Sequence, residues 1–165
     1  MSSRKLIKQN KQKFYVGKAK YTFDEYGNVT VTDPLGNSKD VVVCNGQTLD
    51  LPCNTVNNSD KSVSEEDAKK LFAFLAKNTK VEWAMTIGKD GNAKVYTSHH
   101  AGSVGLSFTS DSAQVVHSHT SAYGGELSPE DTAIAGSNSD IIFTLYYDGY
   151  YENYGSVEFY GGTYQ

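Results

Sequence analysis

Two histidines stand two residues apart in Val115-Val116-His117-Ser118-His119, and an aspartate follows in Ser128-Pro129-Glu130-Asp131. Side chains at alternate positions of a strand project from one face, so both imidazoles would aim at one point. Neutral imidazole is the commonest protein ligand for zinc. Two held this close leave a tetrahedral ion one further protein ligand and a water. Asp131 can be that ligand, from the first turn of a helix that starts after Ser128. The bland reading of the same residues is a plain helix start: a serine cap, proline at the first helical position, and an acid at the positive end of the dipole. A second candidate carboxylate, Glu82, lies 35 positions before His117. It sits in Val81-Glu82-Trp83-Ala84-Met85-Thr86-Ile87, whose alternation puts Val81, Trp83, Met85 and Ile87 on one face and Glu82, Ala84 and Thr86 on the other. Glu82 is then either an ordinary solvated residue or a carboxylate beside the histidines.

His-x-His alone is a weak signal. The joint pattern of His-Ser-His, Ser-x-x-Asp after a Gly-containing loop, and a glutamate on an earlier strand is more specific. It resembles the JAMM motif of the JAB/MPN metallopeptidase family, over roughly residues 64 to 160. The resemblance implies a zinc ion on His117, His119 and Asp131, Glu82 as general base and then general acid, and Ser128 polarising the carbonyl oxygen. It implies cleavage of a peptide or isopeptide bond, with a protein or peptide as substrate. The alternative is a JAB-like module that binds a partner without cleaving, or an accessory domain of a larger bacterial effector. Two departures bear on substrate preference: the loop Thr120 to Leu127 is one residue longer than usual, and Thr120 replaces a common proline. The extra residue falls beside Gly124-Gly125, which can bulge without moving the anchored elements.

The elements that must position these residues are short. Ser64 can cap a helix whose stripe is Ala68, Leu71, Phe72 and Leu75, ending at Asn78-Thr79 and packing on the strand from Val81. Lys89-Asp90-Gly91-Asn92 turns that strand into Ala93–Thr97. The Ser/Gly/His-rich stretch 98–112 either borders a substrate groove or has no specific role. Its neighbours His99 and His100 would face opposite ways along a strand, against a shared metal. Gln114–His117 is the motif strand, Ser128–Ala135 the short helix closed by Gly136, and Ile141–Tyr147 a buried strand. Seven of the twelve tyrosines fall between Tyr146 and Tyr164, as sheet packing or as an aromatic wall for a peptide.

Upstream, residues 1–13 read as a disordered leader, followed by strands at 13–16, 19–23, 29–32 and 41–44 with turns at Tyr26-Gly27-Asn28 and 33–37. Phe23-Asp24-Glu25-Tyr26-Gly27-Asn28-Val29 loosely resembles the Tyr-Asp repeats of Rhs-type bacterial proteins, which often end in effector domains; an ordinary hairpin is the competing reading. The expected class is mixed α/β (α+β): a JAB/MPN-like sheet flanked by helices over 61–165, behind a leader and a small hairpin-rich extension over 1–60. Asn54 to Asp60 reads as the connector.

The 165 residues suffice for one real core. No apolar run approaches the ~20 residues that cross a bilayer, and Met1–Lys8 has charge without an apolar core behind it, so neither a membrane span nor a secretory signal is expected. From Val95 to Gln165 there is no Lys or Arg and the charge is −8, against +4 for the first 94 residues. That acidic half suits a divalent cation and argues against a nucleic-acid partner. Cys44 and Cys53 cannot form a four-ligand site or the cysteine pair of a zinc deaminase; they could close a disulfide, with two reduced thiols the default.

Overall fold

The computed structural model describes residues 19–31, 40–51, 56 and 63–155. The expected leader, the strand at 13–16, the turn at 33–37, Cys53, most of the connector and the tail beyond 155 lie outside the described residues. Two sheets and two helices make a mixed α+β fold among those described. The N-terminal sheet has strands β1 (Ala19–Phe23), β2 (Val29–Val31), β3 (Asp40–Cys44) and β4 (Gln47–Leu51), in the order β2-β1-β3-β4. The main sheet has β5 (Val63–Ser64), β6 (Trp83–Gly88), β7 (Asn92–Thr97), β8 (Ser112–Ser118), β9 (Ile142–Tyr147) and β10 (Tyr150–Gly155), in the order β10-β9-β8-β6-β7-β5. Each sheet is mixed, through a parallel β1–β3 pair in one and a parallel β8–β9 pair in the other. The helices are α1 (Glu65–Asn78) and α2 (Pro129–Gly136).

Helix α1 begins as its sequence predicts. The Ser64 hydroxyl accepts the Asp67 N–H at 3.3 Å, and Glu65, Glu66 and Asp67 meet the positive end of the dipole. At its other end the Thr79 hydroxyl donates to Leu75 O at 2.7 Å and accepts from the Trp83 indole at 2.8 Å, tying the helix end to the first residue of β6. Ala68, Leu71, Phe72 and Leu75 are buried against Trp83, Met85, Ile87 and Val116. Full burial of one Leu or Phe contributes roughly 1.5–3 kcal/mol, so the stripe outweighs a cap of about 1 kcal/mol in holding the helix.

The main sheet therefore has two distinct faces. Val116 of β8 points to α1, whereas its neighbour Val115 joins Phe143, Leu145, Ile141, Ala135 and Tyr154 in a second core on the other side. His117 pairs with Ala84 across the β6–β8 ladder. The expected alternation holds: Trp83, Met85 and Ile87 go to the α1 core, and Glu82 and Ala84 to the face that carries His117. That face is not solvated, since Glu82 is 4% and Ala84 0% exposed.

The small sheet shares the first core. Tyr21, Phe23, Val42, Cys44 and Leu51 are buried with the α1 stripe, and the Phe23 and Trp83 rings meet edge-on at 6.1 Å. The Asp24 carboxylate gathers the backbone N–H groups of Tyr26 and Asn28, both at 2.9 Å. This turn is docked on the main sheet by Lys80 N–H to Glu25 O at 2.7 Å, and His99 Nδ1 lies 2.9 Å from Tyr26 O. Cys44 is a buried free thiol. Strand β4 is not among the strands expected from the sequence; Asn45 and Gly46, both at positive φ, form the hairpin turn that makes it.

Candidate metal centre

The end of β8, the loop after it and the first turn of α2 bring three side chains together. His117 lies within β8, and His119 continues the ladder through its N–H to Tyr146 O at 3.2 Å. Both imidazoles therefore leave the sheet on the same side, as their spacing predicts. Asp131 is the third residue of α2, which starts at Pro129 and keeps Gly136 as its last residue, with Ser137 rather than Gly136 capping it. The Ser128 hydroxyl accepts the Asp131 N–H at 3.1 Å, and the Asp131 carboxylate accepts the Ser128 N–H at 2.9 Å. This reciprocal capping box holds the carboxylate against the histidines. The helix-start reading and the ligand reading describe one side chain in two roles.

The two Nε2 atoms are 3.2 Å apart, and Asp131 lies 3.4 Å from His117 Nε2 through one oxygen and 3.3 Å from His119 Nε2 through the other. A tetrahedral ion with bonds of ~2.0–2.1 Å spans ligand–ligand edges of roughly 3.3–3.4 Å. The Nε2–Nε2 distance and each nitrogen–carboxylate contact are of that size, the two contacts falling on different oxygens of Asp131. Each imidazole is also engaged on its far nitrogen: His119 Nδ1 meets Gly124 O at 2.9 Å, and His117 Nδ1 meets the Tyr154 hydroxyl at 3.3 Å. Both Nε2 atoms are thereby turned inward, as metal-ligating histidines are. Among the described residues, His117, His119 and Asp131 form a group that could hold a metal ion.

Gly124 makes the bond to His119 by adopting φ +72°, a conformation that L side chains rarely take. Its neighbour Gly125 lies so close to Tyr147 that a Cβ would come within 2.7 Å of that ring. The Thr120 hydroxyl bonds Ala101 O at 2.9 Å, where proline has no donor.

Burial would raise the Asp131 carboxyl, but hydrogen bonds from His117 and His119 overcome it and hold the group well below the usual carboxylate range. His119 shows the converse: burial lowers it, while the Asp131 bond and the Glu82 charge raise it above its ordinary value. Glu82 precedes β6 with its N–H bonded to His100 O at 2.9 Å. Burial pushes its carboxyl up to about 7; His119 pulls it down and Asp131 adds to the rise. The carboxyl is thus close enough to both to feel their charges.

A proton bound more tightly in the folded than in the unfolded chain stabilises the fold at low pH. Glu82 contributes fully below its ordinary value of 4.5, and the contribution is lost as pH rises through about 7. In the metal-free chain this amounts to something on the order of 3 kcal/mol. Urea melts of chelator-treated protein should show wild type losing stability across that window relative to Glu82→Gln. Parallel pH profiles would mean that Glu82 titrates as an exposed glutamate does.

A groove of ≈ 910 Å³ opens beside His119, lined by Val81, Ala101, Thr120, Tyr146 and Tyr147. His99 and His100 border it, so the Ser/Gly/His-rich stretch does reach a groove. A second pocket of ≈ 740 Å³, around Lys89, Asp90 and Asp111, contains none of the five candidate residues. Tyr154 is the site residue that sequence reasoning missed. Nothing distinguishes it from its exposed neighbours Tyr150 and Tyr151 except its place in the fold.

The family model described as JAB-like toxin 1 matches residues 61–145, just over half of the chain. That span includes Glu82, both histidines, Ser128 and Asp131. No curated protein and no solved structure matches the chain.

Proposed function

The chain belongs to the JAB-like toxin 1 family, and on that premise we propose that it is a zinc-dependent peptidase or isopeptidase. What supports the reading is the convergence of His117, His119 and Asp131, each nitrogen within 3.4 Å of a carboxylate oxygen and the two nitrogens 3.2 Å apart, with a buried glutamate alongside. Zinc on this donor set supplies Lewis acidity toward an amide carbonyl and brings the pKa of water toward neutrality. Glu82, a buried carboxylate beside the site, can take a proton and give it to the departing amine nitrogen. Ser128 uses its oxygen to accept the Asp131 N–H, which leaves its O–H able to donate toward the carbonyl oxygen of the scissile bond. The groove beside His119 holds the polypeptide on either side of that bond.

The test is cleavage of a panel of peptide-linked and lysine-isopeptide-linked protein substrates by zinc-loaded protein, with mass spectrometry locating the bond cut. Chelation should stop cleavage and added zinc should restore it. A folded, zinc-loaded protein that binds such substrates and cleaves none would make this a JAB-like binding module.

Ser128→Ala tests the serine's two roles separately. Loss of the cap should cost about 1 kcal/mol of stability. Turnover should fall by more than that destabilisation explains. Ser128→Asp keeps a capping oxygen but has no proton to donate, so full activity in that variant would eliminate the donor role.

A further inference from the structure

The two imidazoles of the site are held from behind by different partners. For His119 the partner is a backbone carbonyl, which can only accept, so its Nδ1 carries a proton, and in the neutral ring that a metal requires its Nε2 keeps the lone pair. For His117 the partner is the phenol of Tyr154, 3.3 Å from Nδ1 and buried to 1% exposure. A buried Nδ1–H needs an acceptor, and His117 can offer Nε2 to a cation only with its proton on Nδ1. A phenol oxygen can accept that proton while its own O–H points elsewhere.

Several features aim Tyr154 at this point. On β10, residues 150–153 are all exposed, and the β9–β10 register then slips between Asn153 and Gly155. Such a bulge re-aims a side chain, and bulges recur beside active sites. The Thr144 hydroxyl fixes the turn-in by donating to the Asn153 side chain at 2.6 Å. The Tyr154 ring then meets His117 edge-on, at 6.0 Å and 87°, and packs with Phe143 and with Ala135 of α2. It thereby joins the strand that carries His117 to the helix that carries Asp131.

We propose that Tyr154, beyond the family-matched segment, is a positioning residue that accepts the Nδ1 proton of His117 and orients its Nε2 for the metal. The inference rests on the metal-centre reading above. It predicts that strand β10 sets the affinity of the site, although it contributes no ligand.

Tyr154→Phe keeps the ring and removes only the hydroxyl. Zinc affinity, measured by chelator competition, should fall by roughly 10–100-fold, the usual effect of removing a histidine's outer partner. The visible absorption of the cobalt-substituted protein should shift as well, because the His117 ring is freed to turn; a role confined to packing would leave it unchanged. Thermal melts of the metal-free proteins check that the variant folds. Equal affinity and superimposable cobalt spectra for a folded Tyr154→Phe would overturn the inference alone. Wild type that takes up no zinc or cobalt would overturn the metal-centre reading and this inference with it.

Discussion

Replacing both histidines, His117→Ala with His119→Ala, is expected to take the protein from about one equivalent of zinc to none and to abolish amide hydrolysis. A tetrahedral site with three protein ligands does not survive the loss of two, since Asp131 alone is an ordinary weak carboxylate ligand. The measurement is elemental analysis of protein purified without chelator, beside the cleavage assay. The double variant also strips Asp131 of the two partners that hold its carboxyl low, in a half-enclosed place. Some destabilisation is therefore expected, and circular dichroism must show that the variant is folded. Chelator-treated wild type supplies the same end state without a mutation: it should be inactive and should recover on adding zinc. Wild type that is active with no metal bound would remove these three side chains from the chemistry.

The site was legible in the sequence because its parts are local. His-x-His puts two imidazoles on one face by the two-residue period of a strand, and Ser-Pro-Glu-Asp writes a helix start with the acid in its first turn. The clean alternation of Val81–Ile87 places Glu82 on a definite side. Their convergence was not a local matter; it came from the joint pattern, and the β6–β8 ladder realises it by setting Ala84 opposite His117. An outer strand face ordinarily means solvent, which is the bland reading of Glu82, whereas here the residue is 4% exposed. That enclosure is what raises the Glu82 carboxyl.

The rest was hidden for physical reasons. Tyr154 depends on a bulge in a tyrosine-rich hairpin, and nothing in Tyr-Tyr-Glu-Asn-Tyr says which ring turns inward. Strand β4 alternates Gln, Thr, Leu, Asp and Leu with only one residue fully buried, a weak period beside the Val-rich β3. The docking of the Asp24–Asn28 turn rests on carbonyl oxygens, Glu25 O taking the Lys80 N–H and Tyr26 O meeting His99 Nδ1, and a backbone acceptor leaves no mark in side-chain patterning.

Glu82→Gln separates binding from chemistry. Glutamine has nearly the shape of glutamate and can still hydrogen-bond in the buried pocket before β6, but it cannot accept a proton. Because Glu82 is not among the three converging donors, the variant should keep its zinc. Its turnover should fall on the order of 10²–10⁴, the usual contribution of one general acid–base group. The environment supports this role: burial raises the carboxyl of the metal-free site above its ordinary value, in the direction that lets a group take a proton and then return it. Removing the buried acid should leave the fold intact and, near neutral pH in the metal-free chain, more stable than wild type. Full zinc content, an intact fold and a collapsed rate are therefore expected together, with stopped assays and elemental analysis run on one preparation. Loss of zinc in Glu82→Gln would make the glutamate a ligand. A retained rate would assign the proton transfer to another group, and Glu82 would then be a buried acid held in place by the fold alone.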